Sequence, residues 1–476
     1  MSPARRLPAL LLLCFCCCRA DFPTPPAVDA GPPDLAEIRP IRIAAGRFRI
    51  AGITDDGFVI LVNPDYNIGG VYAVSVDGGP TYTVHPTGIW AVVIGTRVFS
   101  WSYDDNFTRT VTLMLWSASG GSRLLSTNPA TWVSWTGPAL AAVSAGGEYI
   151  AYTGNLSRDD FGLDLMIARG DGSDARTVIT NGLFEGDASM EFAPGTNRLL
   201  VAHDQLVNGV ESPLMISSID PSTGQVVDLL HDAWPAYGVT DDGMTALVIG
   251  ADKRGYTVPI GGGALSPIDS MNNGQIHDGL VFYAGNGALK RARLANPIPT
   301  TLVASGADWV FGHSPDWRWI VYATYSNPRA LGLASTEAPA PPRSVPIDGW
   351  LHDVAFTGDG SRFFYVEYWG QEFVTGRLLS APVAGGAPTQ HAETMTLAYA
   401  TRGTRIVYND HCAPASHLSP DDCDLLIADT ATNGAPTLIA PRADPSFYLT
   451  AAKNRIVYRS FSGPDGQGIY VVPIPN

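Results

Sequence analysis

The chain is poor in lysine and in charged residues as a whole. Only three of its 476 residues are lysine, and charged residues make up 16% of the sequence. The formal net charge is −15, because acidic residues outnumber Lys and Arg. An acidic chain repels phosphate backbones and anionic lipid surfaces. The composition therefore excludes nucleic acid as the expected partner and leaves no basic surface for adsorption to a membrane.

Long apolar runs, helical periodicity and nucleophile motifs are also missing. The apolar run from Leu7 to Phe15 is about nine residues long, whereas a helix that crosses a bilayer needs roughly 20. No segment shows a sustained helical period, and neither a Gly-x-Ser-x-Gly elbow nor a glycine loop for phosphate occurs in its usual context. The sequence thus predicts few helices, no catalytic residue and no cofactor.

Cysteine is scarce except at the N-terminus, where four of the six cysteines lie between residues 14 and 18. Arg5 and Arg6 precede the short apolar run, and the whole resembles a bacterial lipoprotein signal, in which a small residue stands before the acylated cysteine. The resemblance predicts a signal at 1–18 and a lipid on Cys18, with Cys17 and Cys16 as alternatives. An ordinary cleaved signal peptide is the competing interpretation.

A Pro- and Ala-rich stretch follows at 19–40 and predicts an extended tether. With the lipid, it implies an envelope protein at the periplasmic or outer membrane, associated with the bilayer through its anchor alone.

The last two cysteines, Cys412 and Cys423, flank ten residues of a predicted hairpin connection. In an oxidising compartment, a disulfide is the plain interpretation. A zinc site that adds His411 and His417 is an alternative, since thiolates and imidazoles are the preferred ligands of zinc. Its spacing matches no established finger, and free thiols are the third possibility.

One pattern recurs ten times along the chain: a turn with Gly, Asp or Asn, then an aliphatic and aromatic triplet. About 44 residues separate successive copies, which is the length of a four-stranded propeller blade. The last residues of the ten triplets are Ile60, Phe99, Tyr152, Val201, Val248, Phe282, Tyr322, Tyr365, Tyr408 and Tyr458. Further apolar runs and Asp-Gly or Gly-Gly turns follow each triplet and predict antiparallel meanders. We therefore expect an all-β protein.

Two segments, "HSPDWRWIVYATYSNPRALGLAS" and "FTGDGSRFFYVEYWG", resemble the repeats of TolB-type propellers. The resemblance covers residues 41–476 and implies one WD40-like propeller of four-stranded antiparallel blades, with ten units counted and eight to ten blades expected. Only one of the ten units has a full Ser-Pro-Asp in the turn before its triplet, at 314–316. The strand "IRPIRIA" precedes the first unit, and we expect it to pair with the incomplete last unit and close the ring.

Three groups of residues are candidates for function. His277, His313 and His352 fall near the first strands of successive units, where three imidazoles could hold a metal, although a core role is the simpler interpretation. The second group is acidic and lies in predicted connections that share one rim, where it could attract a basic partner or simply form turns: Asp65, Asp104, Asp105, Asp159, Asp160 and Asp204. The third group is tryptophans in predicted loops, Trp234 and Trp369, which could stack on sugars.

These features favour a non-catalytic, monomeric scaffold that binds a protein or a glycan through loops on a rigid ring. The alternative is a metal-assisted polysaccharide lyase or hydrolase with its site in the axial pocket. The two hypotheses differ in whether the three histidines, or a carboxylate cluster, converge within metal-bond reach.

Overall fold

The computed structural model describes residues 40–474, apart from 66–67, 104–109, 127–140, 157–162, 184–189, 208–209, 326–328, 338, 340, 369–375, 396, 413–421 and 433–434. Every regular element within this part of the chain is a β-strand. No helix in it is long and apolar enough to cross a membrane.

The strands form four-stranded antiparallel blades, each built from consecutive segments of the chain. After β1 (Ile41–Ala45), blade 1 contains β2 (Arg49–Ile53), β3 (Phe58–Val62), β4 (Val71–Ser75) and β5 (Thr81–His85). Blade 2 contains β6 (Trp90–Ile94), β7 (Arg97–Tyr103), β8 (Thr110–Ser117) and β9 (Gly121–Ser126). Blade 3 contains β10 (Ala141–Val143), β11 (Tyr149–Leu156), β12 (Leu163–Arg169) and β13 (Arg176–Leu183).

Blade 4 contains β14 (Met190–Phe192), β15 (Leu199–Val207), β17 (Met215–Ile219) and β18 (Val226–His231), with the short β16 (Val210–Glu211) on β15. Blade 5 contains β19 (Ala233–Val239), β20 (Thr245–Gly250), β21 (Arg254–Pro259) and β22 (Ser266–Ser270). Blade 6 contains β23 (Asn273–His277), β24 (Leu280–Gly285), β25 (Ala288–Arg293) and β26 (Asn296–Val303).

Blade 7 contains β27 (Trp309–His313), β28 (Trp319–Thr324), β29 (Ala330–Ser335) and β30 (Arg343–Pro346). Blade 8 contains β31 (Trp350–Phe356), β32 (Arg362–Tyr368), β33 (Gly376–Pro382) and β34 (Thr389–Met395). Blade 9 contains β35 (Ala398–Ala400), β36 (Arg405–Asp410), β37 (Cys423–Asp429) and the first half of β38 (Thr437–Leu449).

The tenth blade joins the two ends of the described chain. Its strands are the second half of β38, then β39 (Arg455–Gly463), β40 (Gly466–Pro473) and, as the outermost strand, β1. Ile41 pairs with Val471 and Ala45 with Gly468 in this last ladder. Both expectations, ten units and closure by an N-terminal strand, are confirmed.

The hydrophobic core is divided among the blade interfaces. Ten buried clusters each join two consecutive blades, including one in which Val59 of blade 1 packs with Val457 and Ile469 of blade 10. The ten triplets are all second strands, and their aromatic residues are almost fully buried. Each such side chain stabilises the fold by about 1.5–3 kcal/mol relative to exposure. The predicted all-β propeller is therefore the fold.

Antiparallel meanders give the ring two different rims. The hairpins between first and second strands and between third and fourth strands lie on one rim, which we call the turn rim. The connections between second and third strands, together with the links from blade to blade, lie on the other, which we call the loop rim. Each first strand begins at the loop rim and ends at the turn rim.

Buried hydroxyl groups order the turn rim. Thr240, Ser314 and Thr357 each come directly after a first strand and are at most 6% exposed. Each donates a hydrogen bond to the aspartate two residues later at 2.5–2.7 Å. The same oxygen accepts the backbone N–H five residues later at 3.0–3.2 Å. This Ser/Thr-x-Asp turn explains the Ser-Pro-Asp signal and holds each hairpin at a fixed angle.

Arginines link neighbouring blades along the same rim. Arg123 on β9 donates to the backbone carbonyl of Asp171, in the next blade's third hairpin, at 3.0 Å. Arg176, Arg291 and Arg343 make the same kind of bond to the following blade. Because the donor is charged and the acceptor is main chain, these bonds fix the spacing of blades independently of loop side chains.

Candidate binding surface

Exposed aromatic side chains concentrate on the loop rim. Among the residues that the structure describes, five large aromatic side chains with at least 36% of their surface exposed lie at the start of a first strand or just after a second strand: Trp90, Trp234, Tyr325, Trp350 and Tyr399. Elsewhere in the described part of the ring, the exposed large apolar residues are aliphatic or methionine, apart from Tyr82. Tyr325, Trp350 and Tyr399 belong to three consecutive blades, 7, 8 and 9.

Arg329 organises the aromatic residues of blades 7 and 8. Its guanidinium carbon lies 4.3 Å from the ring centroid of Trp350, whose exposed fraction is 48%. Burial and the nearby carboxylate of Asp308 raise the pKa of Tyr325, while the charge of Arg329 opposes that shift. The Tyr325 N–H also donates to Asp308 at 2.8 Å. An aromatic plane, a cation and a carboxylate thus meet at one point of the rim.

A second arginine–tryptophan pair lies on blades 1 and 2. The guanidinium of Arg49 stacks 4.4 Å from the ring centroid of Trp90. Such contacts contribute about 0.5–1 kcal/mol at exposed sites and restrict the rotation of the indole. Two tryptophans of the loop rim are therefore held in defined orientations before any partner binds.

Of the aspartates predicted for this rim, the structure describes only two. Asp65 is exposed in the connection between β3 and β4, as expected. Asp204 lies within strand β15 rather than in a connection, because this second strand continues past the blade and pairs with β13 of the preceding one. Its assignment to a loop was therefore wrong. Asp104, Asp105, Asp159, Asp160 and Trp369 lie outside the described residues.

Two of the three histidines that were candidates for a metal site, His277 and His313, stack on a tryptophan. The rings of His277 and His313 both lie nearly parallel to the indole of Trp317, with centroids 4.2 Å and 3.3 Å away. Trp317 has a φ of +57°, in the turn position where the neighbouring hairpins place glycine. The side chain of His352 lies outside the described residues. Among those described, no group of three His, Cys, Asp or Glu is arranged to hold a metal.

The cysteine pair lies at the loop-rim end of blade 9. The Sγ atoms of Cys412 and Cys423 are 2.02 Å apart, and both residues are buried. His411 contacts Asp424 at 3.2 Å and so lies beside the pair, whereas His417 is outside the described residues. Disulfide formation in the protein stays a prediction.

Ser217, His203 and Asp228 resemble hydrolase machinery in composition only. The Ser217 hydroxyl donates to Asp228 at 2.9 Å and therefore accepts from Nε2 of His203 at 3.0 Å. A catalytic serine donates to the histidine, which lies between the other two groups. Ser217 is fully buried, and burial lowers the pKa of His203. These bonds connect the second, third and fourth strands of blade 4, and the hydroxyl of Ser217 has no exposed surface.

An ion-pair network sits beneath the aromatic surface of blade 8. The carboxylate of Glu367 is buried and accepts two bonds from Arg377, at 2.5 and 2.9 Å through the same oxygen. Arg377 also reaches Asp348 at 3.1 Å, in the link that precedes Trp350. The network ties the link to the second strand and so positions the start of β31.

The binding surface was only partly visible in the sequence. The sequence identified Trp234 as a candidate contact residue. It did not identify Trp90, Trp350, Tyr325 or Tyr399, because their sequence surroundings are typical of strand residues that pack between blades. A signal was available: Trp90, Trp309 and Trp350 each begin a first strand at the loop rim. Position relative to the triplet, rather than residue type, would have identified them.

Comparisons with known proteins add little beyond the fold. No family model and no curated protein sequence matches this chain. Among solved structures, a eukaryotic initiation factor is 14% identical over 76% of this chain and 92% of that chain, with a TM-score of 0.47. The dipeptidyl peptidase 4 of Porphyromonas gingivalis is 11% identical over 73% and 60%, with a TM-score of 0.44.

The tricorn protease is 13% identical over 90% of this chain and 52% of that chain, with a TM-score of 0.26. This chain therefore spans about half of the tricorn protease and 60% of the peptidase. At such scores these similarities carry no argument about activity. The strand pairing of the ten blades alone establishes the β-propeller.

Proposed function

We propose that this protein is a non-catalytic, TolB-like scaffold that is anchored in the cell envelope and binds a protein or a glycan through its loop rim. The observation that carries the proposal is the concentration of five exposed aromatic side chains on that rim. Exposed Trp and Tyr lose little conformational entropy on binding and offer a flat apolar face together with a polar group. Such residues dominate the energetics of many interfaces.

Rigid presentation supports the same proposal. The ring is held by ten separate core clusters, and arginines fix the blades at the turn rim. Aromatic residues on consecutive blades therefore keep constant spacing, which favours recognition of an extended partner. The acidic groups beside them, Asp308 and Asp348, would accept hydrogen bonds from sugar hydroxyls or pair with basic side chains of a protein.

The direction of β1 bears on the proposed anchor. As a fourth strand antiparallel to β40, β1 begins at the turn rim, so residue 40 joins the ring on the side opposite the aromatic residues. If Cys18 carries a lipid and 19–40 is a tether, the loop rim can face away from the membrane. Metabolic labelling with a fatty acid tests the anchor: label on the wild type and none on Cys18→Ser is expected, and equal labelling of both overturns it.

The rim is tested with purified full-length protein and a Trp234→Ala/Trp350→Ala/Tyr399→Ala variant. Crosslinking and pull-down from membranes of the source organism detects a protein partner, and a glycan microarray detects a sugar. We expect the variant to bind the protein or glycan that the wild type binds with at least tenfold lower affinity. The matched control is Leu124→Ala/Ile298→Ala, which removes exposed apolar groups off the loop rim. Equal loss in both variants contradicts the proposal.

A further inference from the structure

A groove opens along the first strands of blades 4, 5 and 6. It has a volume of about 240 Å³. The first strands of the three blades, β14, β19 and β23, form most of its lining, and β20 contributes two residues: Glu191, Gly238, Val239, Leu247, Ile249, Asn273, Gly274 and Ile276. This volume is just below the ~300–1,000 Å³ of typical ligand pockets, so the groove fits a small molecule.

Local irregularities in the first strands create the groove. Strand β14 has only three residues, and β19 contains a bulge between Ala233 and Tyr237, where its register against β20 slips. Pro235 lies in the bulge and has no N–H to contribute to the ladder. Gly238 follows, and a Cβ there would come within 2.9 Å of Ile276 Cδ1. The absence of a side chain at Gly238 therefore lets Ile276 form one wall.

The walls of the groove are apolar and contain one charged group. Val239, Leu247, Ile249 and Ile276 supply aliphatic surface, and Glu191 is the one titratable residue among the described residues of the lining. The side-chain amide of Asn273 is already engaged, since it donates to the Val310 carbonyl at 2.6 Å and accepts the Val310 N–H at 3.0 Å.

Glu191 has no ion pair or hydrogen bond of its side chain with any residue that the structure describes. Its side chain is exposed at the groove, yet the surrounding blades desolvate the carboxyl group and raise its pKa. No cation contributes to that shift. An acidic group in such surroundings gains from a positive partner more than one in open water would.

We infer that this groove binds a small primary ammonium compound with a short apolar body, whose ammonium group pairs with Glu191 while its alkyl part lies on Val239, Leu247 and Ile276. A neutral molecule of the same shape would gain the apolar contact alone, and an anion would meet the Glu191 carboxylate. The site is independent of the loop rim and of the proposed partner there.

The test uses full-length protein and two probes of equal length, n-butylammonium and n-butanol, with binding measured by ligand-observed NMR and calorimetry. The wild type is expected to bind n-butylammonium at least tenfold more tightly than n-butanol. Glu191→Gln should remove this difference. The matched control, Glu393→Gln, changes an exposed glutamate on β34 and should bind as the wild type does.

A second variant tests the groove itself. Val239→Phe fills the cavity and keeps Glu191, so both probes should lose affinity while the thermal unfolding midpoint stays close to that of the wild type. The inference is overturned if n-butylammonium binds Glu191→Gln as well as the wild type, if Val239→Phe retains full affinity, or if the wild type binds neither probe at about 50 mM.

Discussion

The two rims of the ring use polar and aromatic residues in opposite ways. On the turn rim, buried hydroxyls, aspartates and arginines bond to one another or to the backbone, as in the Thr357–Asp359 turn and the Arg123–Asp171 link. On the loop rim, Trp234, Trp350 and Tyr399 leave a large part of their surface in water. One rim stabilises the ring and the other offers contacts, so substitutions on the two rims should have different consequences.

The largest effect is expected where an ion pair supports the loop rim from below. Arg377→Met leaves the buried Glu367 carboxylate without a cation, which should lower the free energy of unfolding by about 3–5 kcal/mol. The double variant Glu367→Gln/Arg377→Met should recover most of that loss. Urea unfolding checks both. Arg254→Met, which removes an exposed ion pair with Asp252, is the control. An equal loss of unfolding free energy in Arg254→Met would contradict the special role of the buried pair.

The disulfide is the next test of the loop rim. If Cys412 and Cys423 are joined, Cys412→Ala/Cys423→Ala should lower the free energy of unfolding by about 3 kcal/mol, because the closed loop restricts the unfolded chain. Peptide mass spectrometry without reductant should show the linked pair. Two free thiols, or a stoichiometric metal in purified protein, would favour the other interpretations.

Acidification should weaken the blades rather than either rim. Burial lowers the pKa of His391 from its ordinary 6.5 to about 4. The unfolded chain therefore binds a proton as pH falls below about 6.5, while the folded ring does so only near 4. Stability is full above this window and decreases across it, by up to about 3 kcal/mol. Burial also lowers the pKa of His85 and His203, with the same sign.

The measurement is urea unfolding at several pH values for the wild type and His391→Gln. The variant should lose part of the slope between about pH 6.5 and 4, because the residue no longer titrates. His231→Gln, at an exposed position, should keep the wild-type slope. An unchanged slope in His391→Gln would show that other groups cause the pH dependence.

A smaller effect is expected in a turn-rim hairpin. Thr357→Val keeps the shape of the side chain but removes the hydroxyl that serves Asp359 and the Arg362 N–H. The partly buried Arg362 N–H would lose this acceptor, which should cost about 1–3 kcal/mol of unfolding free energy, whereas the exposed Asp359 still accepts the Ser361 N–H. Thr81→Val, at an exposed position on β5, is the matched control and should change it little. Equal stability of the two variants would show that the hydroxyl is dispensable.

The smallest effect on stability should come from the aromatic residues of the loop rim. Trp350→Ala removes a side chain that is 48% exposed and contacts Arg329, so the free energy of unfolding should change by about 1 kcal/mol or less. Thermal unfolding of Trp350→Ala beside Tyr365→Ala, whose ring is fully buried, makes the contrast measurable. A large loss in Trp350→Ala would assign that tryptophan to the core.

The fold was largely predictable, whereas the binding surface was not. Each triplet lies in a second strand that is buried on both faces. Positions such as Tyr152, Tyr365 and Tyr458 therefore need large, mostly apolar side chains in every blade, and the pattern is visible in each repeat. The exposure of Trp350 depends on the path of the link between blades 7 and 8. The stacking of His277 on Trp317 depends on the packing of blade 6 against blade 7. No single repeat contains that information.

The sequence by itself determined the ten repeat units and predicted the closing strand, because both follow from local patterns along the chain. It left the count at eight to ten blades, and the strand pairing decided on ten. Only the tertiary structure decided which side chains face water and which charges stay unmatched, as at Trp350 and Glu191. Those properties arise where neighbouring blades meet, between residues that are far apart in the chain. The physical reason is that strand pairing is set by short segments, whereas burial is set by packing between segments.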